Sequence, residues 1–204
     1  MHENSRLMFT EFAAQFFEAS LKVLEIGPDD FPSTYESACR ERVTVWDTID
    51  MKEDSRLTFQ STGEYNFPIP DEAYDIILSG NVMEHVRKPW IWIKEVARVC
   101  KLGGMVITLN PVSWSYHEAP IDCWRAYPEG MKALYEEGGL RVILCEWGSF
   151  ETPGYRVYRP GVSVSYQPQT CKWRLARRFG PQFGLPVERA YDTITVGIKE
   201  IIAG

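Results

Sequence analysis

What this 204-residue chain lacks narrows its identity before any motif is read. Its five cysteines, Cys39, Cys100, Cys123, Cys145 and Cys171, are odd in number and widely scattered, with no CxxC pair and no neighbouring Cys/His cluster. That spacing argues against a disulfide framework and a structural zinc site, and it suits reduced thiols in a cytoplasmic setting. No run of Lys or Arg exceeds a pair, and the formal net charge is -6. A nucleic-acid partner would leave a basic footprint, so none is expected. No apolar run approaches the roughly 18 residues needed to span a bilayer. The opening "MHENSRLMF" has neither the basic nor the apolar stretch of a signal peptide. An intracellular protein without membrane insertion is expected, or a domain cut from a longer multidomain chain.

What is present alternates. With 45% hydrophobic residues, the chain can bury a good core in one domain carrying one sizeable insertion. Leu7, Met8, Phe12, Phe16 and Phe17 recur near helical spacing, predicting an amphipathic helix over residues 5–21 before a strand at 22–26. Ser33 followed by Glu36 has the form of a capping box opening a second helix. "RVTVWDTID", "LTFQ" and "AYDIILSG" then read as strands, being short and rich in β-branched or aromatic residues. A helix is predicted over 89–101, with Trp90, Ile93, Val96, Ala97 and Cys100 on one side and Gly103-Gly104 closing it. "MVITLN" is a further strand, "YPEGMKALYEEGGL" a further helix, and "RVILCEW" and "YDTITVGIKE" the last strands. Strands alternating with helices imply an α/β, doubly wound, mostly parallel sheet covered on both faces. Residues 150–189, with their prolines, glycines, tyrosines and the basic stretch "CKWRLARRFG", break this rhythm and are expected to form a lid or substrate insertion.

Where the first strand hands over to a helix, "KVLEIGPDD" gathers Glu25, Gly27, Asp29 and Asp30. In open α/β sheets ligands sit beyond the carboxyl ends of the strands, where strand order reverses. A glycine at that turn lets backbone approach a ligand closely. The G-x-G-x-x-G of dinucleotide sites is absent, and carboxylates here would repel a pyrophosphate. They suit a cationic group such as an ammonium or a sulfonium.

"VLEIGPDD" resembles the first motif of class I S-adenosylmethionine-dependent methyltransferases, an acidic residue followed by G-x-G-x-G. "TID", "FPIPDEAYDIILSGNVMEHV" and "VARVCKLGGMVITLNP" follow in the family's order, so the likeness covers about residues 22–140 and is closest to type 11 members. It implies a Rossmann-like seven-stranded sheet with an antiparallel last strand, and S-adenosyl-L-methionine as cofactor with S-adenosyl-L-homocysteine as product. Only Gly27 of the glycine trio is kept, with Asp29 and Phe31 at the other positions. The resemblance implies that Glu25 and Gly27 face the amino-acid end of the cofactor. Asp50 or Asp47 would hold the ribose, Asp50 being preferred because "DTIDM" resembles "TLDI", although Asp47 lies nearer the usual spacing of about 20 residues. Gly63 and Glu64 would lie at the adenine, and Ser79, Gly80 and Asn81 beneath the methionine. In ubiquinone-type O-methyltransferases a stretch related to "GNVMEHV" supplies carboxylates and a histidine, sometimes for a divalent metal. Here Asn81 replaces the first carboxylate, so no metal is expected; Glu84 and His85 come nearest to a site, and His85 is expected to pack against the following helix.

After the fifth strand, "HEAPIDCWRAYPEG" resembles a stretch of methyltransferases associated with glycan and secondary-metabolite pathways. By topology this loop opens over the cofactor's methyl, where His117 is the candidate general base or else a loop cap, and Asp122 either orients it or binds a substrate hydroxyl. Free imidazole is largely neutral near pH 7 and can accept a hydroxyl proton. Asp122 and Arg125 also read as a simple ion pair at a helix entry. Tyr116, Trp124, Arg125 and Tyr127 offer aromatic faces and a cation to a substrate. The expected acceptor is a hydroxyl on a small molecule or glycan, favouring a sugar of a glycan or glycolipid precursor, with fusion to or docking with glycosyltransferase-type domains. The alternatives are a phenol or secondary-metabolite acceptor, a non-catalytic binding module of the same fold, and, less compatible with the turn, a nicotinamide dehydrogenase.

Overall fold

The computed structural model describes residues 3–114, 116–117, 120–151, 156–159, 162–166, 175, 179–183 and 190–200. Seven strands form one sheet: β1 (Lys22–Ile26), β2 (Val45–Asp50), β3 (Phe59–Gln60), β4 (Tyr74–Gly80), β5 (Cys100–Pro111), β6 (Leu140–Gly148) and β9 (Asp192–Lys199), in the order β3-β2-β1-β4-β5-β9-β6. The pairs from β3 to β5 are parallel, and β9 runs antiparallel between β5 and β6. Chain order reverses between β1 and β4, which opens a crevice beyond their carboxyl ends. The doubly wound, mostly parallel sheet with an antiparallel last strand is as expected.

Sequence chemistry accounts for the layers. In β4, Ile76, Ile77 and Leu78 are all fully buried, because a parallel strand is covered on both faces. On one face, α3 (Pro89–Val99) and α4 (Pro128–Glu137) bring Trp92, Ile93, Val96, Met131 and Tyr135 onto Leu24, Ile77 and Val106. On the other, α1 (Glu3–Met8), the turns after it and α2 (Thr34–Cys39) bring Phe9, Phe17, Tyr35 and Cys39 onto Val23, Leu78 and Ile107.

Three elements differ from expectation. The amphipathic run at the amino terminus is not one helix: α1 passes into a π-helical turn at Phe9–Ala13 and a 3-10 turn at Ala14–Phe16. The wider turn keeps Met8, Phe9, Ala13 and Phe17 all on the sheet side. In α3, which stops at Val99 because Cys100 is already extended, the core tryptophan is Trp92; Trp90 is 44% exposed and meets the Trp124 ring at 5.9 Å. The predicted insertion contains a two-stranded antiparallel ribbon, β7 (Arg156–Arg159) and β8 (Val162–Tyr166), and a short 3-10 turn at Gly180–Phe183. Most of its basic stretch lies outside the described residues. No helix among the described residues is long and apolar enough to cross a membrane.

One polar anchor fixes the amino-terminal helix above the crevice side of the sheet. Asn4, fully buried, donates to Asp192 Oδ2 at 2.7 Å and to the Gly148 carbonyl at 3.0 Å, and accepts from the Phe150 amide at 2.7 Å. Ser5 adds a bond of 3.3 Å to the same Asp192 oxygen. These partners stand at the end of β6 and the start of β9, both at the carboxyl side of the parallel strands.

Candidate active site

The turn after β1 is built by its own acids. Gly27 takes φ +69°, a conformation open to glycine, and a Cβ there would collide with Val82 from the segment after β4. Glu25 is 1% exposed; its carboxylate accepts from Ser33 Oγ at 2.5 Å and Trp46 Nε1 at 2.8 Å. Burial outweighs those bonds and pushes its pKa up to about 7. Ser33 Oγ in turn accepts from the Glu36 amide at 2.9 Å, which is the predicted cap of α2. Asp29 accepts from the Thr34 amide and hydroxyl at 2.9 and 2.7 Å, and Asp30 accepts from the Phe31 amide at 2.8 Å. Glu25 is therefore enclosed behind the turn rather than presented at its surface, whereas Asp29 and Asp30 are exposed.

The two ribose candidates separate cleanly. Asp47 binds Tyr74 Oη at 2.8 Å and lies 3.5 Å from Lys22 Nζ, residues that open β4 and β1 at the opposite end of the sheet. It does not join the crevice. Asp50 ends β2 beside the turn, its carboxylate accepting the Lys52 amide at 3.0 Å. Beyond β3, Ser61 Oγ organises the loop through the carbonyls of Gly63, at 2.6 Å, and Asn66, at 3.2 Å. Gly63 faces open space where a Cβ would stand, while the Glu64 carboxylate turns to Arg87, meeting its amide at 3.0 Å and Nη1 at 2.5 Å. At the end of β4, a Cβ on Gly80 would strike the Tyr35 ring. Ser79 is buried, and Asn81 takes φ +58° while its amide donates to the Leu109 carbonyl at 2.9 Å.

The acceptor side is clasped to the segment after β4. The amides of Cys123 and Trp124 donate to the Glu84 carbonyl at 2.7 and 3.3 Å, Trp124 Nε1 donates to the Val86 carbonyl at 2.9 Å, and His85 Nδ1 donates to the Ile121 carbonyl. His85 thus packs against the 117–125 loop, not against α3 as expected. Its ring meets His117 edge-on at 5.1 Å. Asp122, with a side chain 2% exposed, receives Arg125 through bonds of 2.5 and 2.7 Å and the His117 amide at 2.8 Å. His117 Nδ1 stands 3.4 Å from Asp122 Oδ2. Burial opposes ionisation of Asp122, yet Arg125 and the His117 amide hold its pKa below the ordinary carboxylate value.

Glu84 is the group that sequence reading undervalued. It is 1% exposed, its Oε2 has no hydrogen-bond partner among the described residues, and burial pushes its pKa up to about 8. Its Oε1 is 3.8 Å from His85 Nε2. One ligand atom each from Glu84, His85 and His117 lie within 4.8 Å of one another, a set able to hold a divalent ion. Nothing in the spacing of residues 84, 85 and 117 signals that meeting, since two strand ends must converge to make it. Exposed aromatics also extend further than the sequence suggests: Tyr127 meets Trp147 at 6.4 Å, and Trp147 meets Tyr191 at 5.5 Å.

Residues 34–108 match the family described as "Methyltransferase domain". Over that stretch the sequence is similar to methyltransferase domains, and the sheet has the Rossmann-like order of the methyltransferase structures on which it superposes. A Bacillus halodurans protein classed only provisionally as a methyltransferase superposes with a TM-score of 0.67 at 13% identity, covering 96% of this chain and 99% of that one. An uncharacterized methyltransferase of Mycobacteroides abscessus is 31% identical over 96 residues, 47% of this chain and 34% of that protein. A ubiquinone biosynthesis O-methyltransferase of Parvibaculum lavamentivorans is 29% identical over 133 residues, 59% of this chain and 48% of that protein. The matched stretches therefore span a third to a half of the length of these two curated relatives.

Proposed function

We propose that this domain transfers a methyl group from S-adenosyl-L-methionine to a hydroxyl acceptor, releasing S-adenosyl-L-homocysteine. The observation that carries the reading is convergence: Gly27 after β1, Asp50 at the end of β2, Asn81 after β4 and His117 after β5 stand beyond the carboxyl ends of four neighbouring parallel strands. This is the switch-point crevice of the fold, and the family match and the relatives are methyltransferases. The cofactor would supply an electrophilic sulfonium methyl. Asp50 would accept both ribose hydroxyls in charge-assisted hydrogen bonds, each on the order of 1.5–3 kcal/mol. Gly63, facing open space, would border the adenine.

His117 is the proposed base. Asp122, 3.4 Å from Nδ1, favours the tautomer with its proton there and leaves Nε2 as the basic nitrogen. Nε2 would take the hydroxyl proton as the O–CH₃ bond forms and the S–CH₃ electron pair returns to sulfur. Such a base contributes typically about 10²–10⁴-fold, and alignment of acceptor and methyl up to roughly 7–11 kcal/mol. Were a divalent ion used instead, Glu84, His85 and His117 would together hold it and it would polarise an acceptor oxygen; His117 would then be a ligand and not the base, because its one unprotonated nitrogen cannot serve both roles.

For the acceptor, the exposed rings of Tyr116, Trp124 and Tyr127 suit a ring with apolar faces and hydroxyl edges. We favour a sugar of a glycan or glycolipid precursor; the relative that acts in ubiquinone biosynthesis makes a phenolic acceptor the second reading. Screening hydroxylated sugars and phenols with radiolabelled donor tests both. His117→Ala should lower kcat by about 10²–10⁴-fold with little change in donor affinity; full turnover in that variant removes His117 as base.

A further inference from the structure

Glu84 and His85 from the short turn after β4, and His117 from the loop after β5, bring one ligand atom each within 4.8 Å of one another. The set is withdrawn from solvent: the Glu84 side chain is 1% exposed, and those of His85 and His117 are 17% and 20% exposed. Glu84 Oε2 has no hydrogen-bond partner among the described residues, and a buried carboxyl oxygen left unmatched is unfavourable. Both rings are also oriented for ligation. His85 gives its Nδ1 proton to the Ile121 carbonyl, and Asp122 Oδ2 stands 3.4 Å from His117 Nδ1, so in each ring Nε2 carries the lone pair. A carbonyl or carboxylate behind the imidazole is how metal-ligating histidines are held.

We propose that these three side chains form an inhibitory site for a zinc-class transition ion, whose filling takes the His117 nitrogen assigned above to the hydroxyl proton. The site itself stands on the geometry; its inhibitory effect rests on the reading of His117 as base. Two imidazoles and one carboxylate suit zinc, cobalt or iron, whereas magnesium and calcium favour carboxylate, carbonyl and water oxygens. The donor set is not the carboxylate-rich one of the ubiquinone-type stretch. Asn81 stands at its first carboxylate, and the third donor here is an imidazole from a different loop. A tetrahedral ion with bonds of about 2.0–2.2 Å holds its ligand atoms roughly 3.3–3.6 Å apart. Glu84 Oε1 and His85 Nε2, at 3.8 Å, nearly have that spacing already. Arg125 is neutralised by Asp122 through bonds of 2.5 and 2.7 Å, which limits its repulsion of an ion. With one lone pair, His117 either holds the ion or accepts a proton, so a filled site is a brake on transfer.

The test is nitrogen NMR of the imidazole rings, with zinc chloride and magnesium chloride as probes; the chain's three histidines are His2, His85 and His117. One equivalent of zinc should move the His85 and His117 signals, assigned by their loss in His85→Ala and His117→Ala, and leave His2 in place. A large excess of magnesium should move neither. Glu84→Gln keeps the side chain's shape and should weaken zinc by at least roughly 10-fold, since even an outer partner of a metal ligand is worth roughly 10- to 100-fold. Its metal-free spectrum reports in the same experiment that the variant is folded. Unmoved rings, movement of one ring without the other, an equal response to magnesium, or undiminished zinc affinity in Glu84→Gln overturns the site. Calorimetry of the metal-free chain with S-adenosyl-L-homocysteine separates the two readings. Zinc shifts without heat from the nucleoside uphold the site and overturn the methyl-transfer reading; heat without zinc shifts overturns the site alone.

Discussion

Glu25, Glu84 and Asp122 are carboxylates withdrawn from solvent, and their neighbours decide what each can do. Asp122 faces a guanidinium and stays ionised; at Glu25 and Glu84 burial outweighs the polar neighbours and pushes the pKa values up to about 7 and about 8. Folded chain therefore retains two protons that unfolded chain releases above about pH 4.5. The resulting stability is complete below that pH and is lost as pH rises through about 7 and then about 8. Glu84→Gln removes one titration, so thermal unfolding of that variant should show a smaller loss of stability between about pH 6 and 9 than wild type, by on the order of a few kcal/mol. Parallel pH profiles would contradict the buried, protonated Glu84. The proposed ribose role of Asp50 predicts that Asp50→Ala weakens donor binding by roughly 10-fold or more in calorimetry. Asp47→Asn should leave it unchanged, because Asp47 is committed to Tyr74 and Lys22. The reverse pattern would exchange their roles.

At the scale of elements, legibility followed locality. The cap of α2, the proline entry of α3 and α4, and the strand at 22–26 depend on neighbours within a few residues, and the sequence shows them. The π-helical turn after α1 does not, because it is a response to packing Phe9 against Phe17 and Tyr35 at 5.4 and 4.7 Å. The choice of Trp92 over Trp90 is likewise tertiary. Trp92→Ala should cost about 3–5 kcal/mol in denaturant unfolding and Trp90→Ala well under about 1 kcal/mol; comparable losses would show that the face of α3 is misassigned. The clasp between residues 84–86 and 121–124 was invisible for the same reason, its partners being nearly forty residues apart. Hydrogen exchange reads it directly. The amides of Cys123 and Trp124 should be protected although both residues are exposed, and exchange at open-loop rates would remove the clasp.

For the whole molecule, the sheet explains why an ordered set of weak signals outweighs a damaged glycine motif. Each short stretch matters because it falls at the carboxyl end of a parallel strand, and β2, β1, β4 and β5 bring four such ends side by side. The acids of the first turn required reinterpretation. Glu25 is enclosed and supports α2, so the charge offered to a ligand comes from Asp29 and Asp30 outside, while burial holds Glu84 within in its neutral form. That arrangement still disfavours a pyrophosphate and still admits a sulfonium nucleoside. Calorimetric titration of the chain with S-adenosyl-L-homocysteine and, separately, with NAD tests this most directly. Saturable one-to-one binding of the sulfur nucleoside with no heat from NAD is the predicted result; silence toward the first, or saturable binding of the second, would contradict it.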